Sequence, residues 1–175
     1  MSPSVFWRTI VTGVVATFVM TMTGFWQHGV GIRPLDFGAI LATNMTSAHP
    51  GTEYGIFAGS LAHFTNGVLF AFLWVALLRQ YVAGSWLVHG LVYGIGLAIV
   101  ASLIGLPLIT DTGVFFTRMP APGAMLLATT IMHLAYGFAL SLGLEVAGIG
   151  ARAADRVAAE GVRLEIWPRR ERRRA

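Results

Sequence analysis

Residues 119–144 read MPAPGAMLLATTIMHLAYGFALSLGL, a stretch without a single Asp, Glu, Lys or Arg. A helix needs roughly 20 such residues to cross a bilayer. A lone strand in lipid would leave its backbone groups unpaired, whereas a helix satisfies them within itself. Pro122 suits the first helical turn, where its missing N–H costs nothing, so a transmembrane helix is expected near 122–147. Three more uncharged windows, 9–32, 54–78 and 80–110, are of the same kind. They give spans near 6–26, 55–79 and 84–107, the third ending at Pro107.

The rest of the composition agrees. Of 175 residues, 55% are hydrophobic and 11% charged, against about 25% charged in soluble domains. The expected fold class is therefore all-α, an integral membrane four-helix bundle. With no cysteine, disulfides, thiolate-bound zinc, iron–sulfur clusters and thiol redox chemistry are excluded. The first span follows Arg8 as a signal peptide would. The sequence after it, TGFWQHG, offers no small-x-small cleavage pattern, so it reads as a retained span.

Charge placement divides the chain into a transmembrane domain, 1–150, and an Arg-rich tail, 151–175. The tail holds eight Arg and four acids, which is the whole net charge of +4; residues 1–150 are neutral. Arg8, Arg79 and the tail arginines fall on one side of the membrane, and only Arg33 and Arg118 on the other. The positive-inside rule then places both termini in the cytoplasm. Every basic residue is Arg, a codon-usage sign of a GC-rich bacterial genome and hence of an inner membrane. Trp7, Trp74 and Trp86 near one face and Trp26 near the other fit interfacial belts. Within the tail, Val157, Val162, Leu164 and Ile166 could form the apolar side of a short helix ending before Pro168. Arg169, Arg170, Arg172, Arg173 and Arg174 are expected to fix topology and to touch anionic lipid headgroups or an acidic partner. No nucleic-acid-binding module accompanies them.

Between the spans, the long loop 27–54 contains PLDFGAILA (34–42), expected as a short helix on the outer membrane surface. Phe115 and Phe116, in the loop 108–121, should dip into the interface. The tight turn at 80–83 should make the second and third spans antiparallel neighbours.

The second and fourth spans match at an offset of 70 residues: FAGSLAHFTNG (57–67) against LATTIMHLAYG (127–137). Ala58/Ala128, His63/His133 and Gly67/Gly137 coincide. The first and third spans match more weakly at an offset of 81, with Gly13 and Gly24 against Gly94 and Gly105. Two tandem hairpins related by an axis along the membrane normal are expected. His63 and His133 then lie at similar depth, each with a glycine one turn on along the same face.

Two readings of this pair are open. The two imidazoles could be axial ligands of a b-type haem, the metal held between His63 and His133 and the porphyrin admitted beside Gly67 and Gly137. One histidine alone could ligate the magnesium of a chlorophyll-type ring. The commoner alternative is packing, with each imidazole bonded across helices to Ser60, Thr65, Asn66, Thr129, Thr130 or a backbone carbonyl. His89 is expected at the cytoplasmic interface. His28, His49, Asp36 and Glu53 in the outer loop could meet around a divalent ion, although their spacing matches no ligand motif. Asn44-Met-Thr46 fits a glycosylation acceptor by chance in a bacterial protein. Phosphate-binding loops, nucleophile elbows and HExxH are absent from the sequence.

Three functions follow as expectations. The first is a non-catalytic or accessory subunit of a larger, energy-transducing membrane assembly, partnered by lipids and by other subunits or further copies. The second is a bis-histidine haem protein relaying electrons. The third is a small-solute transporter or channel, favoured by the repeat but disfavoured by the lack of ionisable groups at the midplane.

Overall fold

The computed structural model describes residues 1–32, 34–46 and 49–149. Arg33 and the tail expectations lie outside the described residues. Among the described residues five helices of ten residues or more appear: α1 Pro3–Gly29, α2 Phe37–Thr46, α3 Glu53–Tyr81, α4 Trp86–Ile109 and α5 Pro122–Val146. All but α2 are long and apolar enough to cross a membrane. The chain is thus an all-α bundle of four membrane-length helices.

Local chemistry sets the helix ends. Ser2 caps α1 by accepting from the Val5 amide, with Pro3 in the first turn. Asp36 Oδ1 accepts from the Ala39 amide at 2.9 Å. That cap starts α2 later than the expected 34–42, since Pro34 precedes the capping residue. Thr52 accepts from the Gly55 amide at 3.0 Å and Glu53 sits in the first turn of α3, facing the positive end of its dipole. At the end of α5, Gly148 takes φ +69°. The Ile149 and Gly148 amides bond back to Leu144 and Glu145, a Schellman closure that only a residue tolerant of the left-handed region makes cheaply. Arg8 Nη1 donates to Ala147 O at 2.6 Å and Arg79 Nη1 to Ile149 O. Two cations thus meet the negative end of the α5 dipole.

Packing inverts the pattern of a soluble protein. Large side chains such as Phe25, Leu61, Leu69 and Ile99 are exposed, where lipid would receive them. The buried face of α1 is instead Thr9, Thr12, Gly13, Ala16, Thr17, Met20, Gly24 and Gln27. The hydroxyls of Thr9, Thr12 and Thr17 each donate to the carbonyl four residues earlier. Their polarity is therefore satisfied inside their own helix and leaves small, smooth faces for close approach.

The principal interfaces are α1 with α3, α1 with α5, α4 with α5, and α2 with α3. The order across the bundle is therefore α3, α1, α5, α4. The sequence correspondence carries into this packing. Gly13 and Gly67 lie where α1 meets α3, and Gly94 and Gly137 where α4 meets α5. The symmetry then breaks: α1 packs on α5, but the equivalent pair, α3 and α4, forms no principal interface. The expectation of α3 and α4 as packed neighbours needs correction. They are joined by the turn at 82–85, yet aromatic side chains, not backbones, bridge them. Trp74 stacks on Tyr93 at 4.5 Å, and the Tyr93 hydroxyl donates to Phe70 O at 2.5 Å.

Both α3 and α4 contain a π-helical turn, at Trp74–Leu78 and Ala101–Gly105. In α4 the cause is local, because Pro107 has no amide to donate and its ring crowds the carbonyl four residues before it. The Leu106 amide accordingly reaches back five residues to Ala101 O. In α3 the Tyr136 and Tyr93 hydroxyls donate to the carbonyls of Gly67 and Phe70 in the two turns before the π turn, while Phe70 O keeps its helical bond from the Trp74 amide. In the loop after α4, Phe116 is fully buried, not interfacial, while Phe115 is 37% exposed.

Candidate functional site

His63 on α3 and His133 on α5 do come together at one cavity, with Phe37 of α2 packed against both. The Phe37 ring lies parallel to His63 with centroids 6.1 Å apart, and edge-on to His133 at 5.9 Å. Each imidazole is held by a different atom. His133 Nδ1 lies 2.8 Å from Thr129 O; a carbonyl only accepts, so Nδ1 carries the proton and Nε2 is left as a bare acceptor. His63 Nε2 lies 3.3 Å from Thr21 Oγ1. The single hydroxyl proton of Thr21 already goes to Thr17 O at 2.9 Å. Thr21 Oγ1 is thus shared between Thr17 O and His63 Nε2. Thr21, supplied by α1, was missed among the sequence-based partners, because nothing in the repeat points to that helix.

Gly67 and Gly137 prove to be contact points between helices. A Cβ on Gly67 would come within 1.8 Å of Thr17 Oγ1, and one on Gly137 within 2.4 Å of Gly90 O. Neighbouring helices fill the space that a flat ligand would need beside them.

Two cavities adjoin Phe37. One, of about 490 Å³, lies between α1, α2 and α3 and is bounded by Thr21, His28, Asp36, Ser60 and His63. The other, of about 340 Å³, is the gap left where α3 and α4 part. Thr17 and Met20 of α1 with His133 and Tyr136 of α5 form its floor. His63, Asn66 and Phe70 form one wall, and Leu97, Ala101 and Gly105 the other. The π turn of α4 supplies that second wall, so Pro107 shapes the cleft from a distance. Phe70, Val100 and Leu108 rim it and are 40%, 48% and 78% exposed. The cleft therefore opens sideways through the wall of the bundle. Its lining carries no formally charged side chain.

Other expected sites fare differently. His89 is buried at 9% exposure, edge-on to Trp74, with Nε2 donating to Val82 O at 2.9 Å. It ties the connecting turn to α4 instead of sitting at the interface. No group of three or more metal-binding side chains occurs among the described residues. His28, His49, Asp36 and Glu53 thus do not converge; Asp36 serves as a helix cap and His49 receives the Thr52 hydroxyl at its carbonyl.

As they stand, these residues do not fit a bis-histidine haem. A porphyrin would need the space beside Gly67 and Gly137, which Thr17 and Gly90 already fill, and both imidazoles pack against the ring of Phe37. Protein purified in mild detergent is accordingly expected to show no Soret band in either oxidation state. A Soret band abolished by His63→Ala and by His133→Ala would reverse that conclusion. No family model, curated protein or solved structure matches this chain.

Proposed function

We propose that the chain is a non-catalytic accessory subunit of a larger membrane assembly, and that its working part is the lateral cleft, which holds a hydrophobic guest. The observation that carries this reading is the broken symmetry. Three of the four seams expected from two paired hairpins are closed by backbone contact or small residues, and the fourth stands open beside two histidines. Ligand cavities in helix bundles lie between helices, with apolar walls and a few placed polar groups, as here. The Arg asymmetry supports a bacterial inner-membrane setting with both termini cytoplasmic and the tail against anionic headgroups.

Native mass spectrometry of protein released from mild detergent tests this. The expected spectrum shows the 18.8 kDa chain with a noncovalent small-molecule adduct, within a complex containing a second subunit. Ala101→Trp, which fills one wall of the cleft, should remove the adduct. A bare monomer with no adduct would overturn the reading.

A further inference from the structure

Resting on the cleft as a guest site, we propose that its occupant is a neutral phenolic lipid whose hydroxyl donates to His133 Nε2. Three features of the cleft select this chemistry.

The first is the acceptor. His133 is 8% exposed and lines the cleft. Its Nδ1–H is committed to Thr129 O, which fixes the free nitrogen as an acceptor. Among the described residues nothing donates to it. The nitrogen is not sealed inside the protein, so a guest in the cleft that carries an O–H group can reach it and donate. A ketone or ether oxygen cannot, because it brings no proton.

The second is charge. With no formally charged lining residue, a carboxylate, phosphate or ammonium head would enter an apolar cavity without a counter-ion, which is strongly unfavourable. The guest is therefore uncharged.

The third is shape. The rings of Phe37, His63 and Tyr136 line the cleft with His133, and aromatic faces and edges pack best against another aromatic ring. Half-buried Asn66 also faces the cleft without a hydrogen-bond partner among the described residues. It can serve a second oxygen on such a ring. The exposed rim at Phe70, Val100 and Leu108 lets a hydrocarbon tail run outward along α3 and α4.

The test compares 4-decylphenol, its methyl ether and 1-decanol, titrated into detergent-solubilised protein and read by native mass spectrometry. Loss of one buried hydrogen bond corresponds to about a tenfold change in affinity. The phenol should therefore bind about tenfold tighter than the ether, and tighter than the alcohol. In His133→Phe the phenol and ether should bind alike. Equal binding of phenol and ether to the unaltered protein overturns the hydroxyl assignment while leaving the cleft a guest site. Preference for decanol overturns the aromatic assignment. Binding of none of the three overturns the cleft reading itself. Because the decisive comparison uses the unaltered chain, it stands even if the substituted protein fails to fold.

Discussion

Gly137→Val is expected to cost about 3 kcal/mol, near the top of the range for overpacking a well-packed site. The reason is backbone proximity on both sides. A Cβ at Gly137 would lie 2.4 Å from Gly90 O and 2.8 Å from Gly94 N. The converse contacts are equally close: a Cβ on Gly94 would lie 2.8 Å from Leu134 Cα, and one on Gly90 would lie 2.9 Å from Phe138 Cα. Three glycines therefore interlock α4 with α5, and no side-chain rotation can relieve an intruding methyl. Since lipid tails are as apolar as the helix surface, this closeness of packing is itself what holds the pair together. Equilibrium unfolding in mixed micelles should show the loss. Gly96→Ala is the matched control, because a Cβ there meets nothing within 4 Å. It should leave stability unchanged or raise it by up to about 1 kcal/mol through helix propensity. If Gly137→Val unfolds like the unaltered protein, the close crossing of α4 and α5 is wrong.

The same glycines show where sequence sufficed and where it stopped. The charge-free windows located all four long helices, because the cost of a charge in hydrocarbon leaves its mark on every residue of a span. The His–Gly repeat also marked positions where helices cross, Gly137 against the backbone of α4 and Gly67 against the Thr17 side chain of α1. What the repeat could not say was what fills the space beside each glycine. A porphyrin and a neighbouring helix demand the same missing Cβ, and only three-dimensional packing separates Thr17 and Gly90 from a ligand.

Phe37 was invisible for a different reason. It belongs to α2, which has no counterpart in the second hairpin, so no internal comparison could bring it to the histidines. The cleft was hidden by the repeat itself, since two alike hairpins imply two alike seams. The asymmetry arises from α2 roofing one side and from Pro107 rewinding α4, each a feature of one half alone. The partner of His63 likewise lies on another helix, at Thr21, a distance between elements that periodicity does not encode; the Thr129 carbonyl that binds His133 is one turn back on the same helix.

Where α3 and α4 do touch, the indole of Trp74 is the larger contact, and Trp74→Ala should have the second large effect. Trp74 is 2% exposed, stacks on Tyr93 with ring planes 22° apart and meets His89 edge-on at 5.8 Å. Truncation removes the whole indole from a site whose neighbours are themselves anchored. Tyr93 is held to Phe70 O and His89 to Val82 O, so the cavity cannot readily collapse. Large-to-small changes of this kind cost about 3–5 kcal/mol, and here the loss falls where the open seam is pinned. The seam should then loosen around the lost ring, with the Tyr93–Phe70 bond still spanning it, and the cleft should admit guests with bulkier heads as stability falls. Trp74→Phe separates packing from hydrogen bonding. Because Trp74 Nε1 has no hydrogen-bond partner, exchanging the indole for a phenyl ring sacrifices no bond and should cost about 1 kcal/mol from lost volume alone. Equilibrium unfolding of the two variants, with phenol binding measured alongside, checks both halves. Equal losses for Phe and Ala would mean that the indole nitrogen, and not the stacked ring, holds the seam.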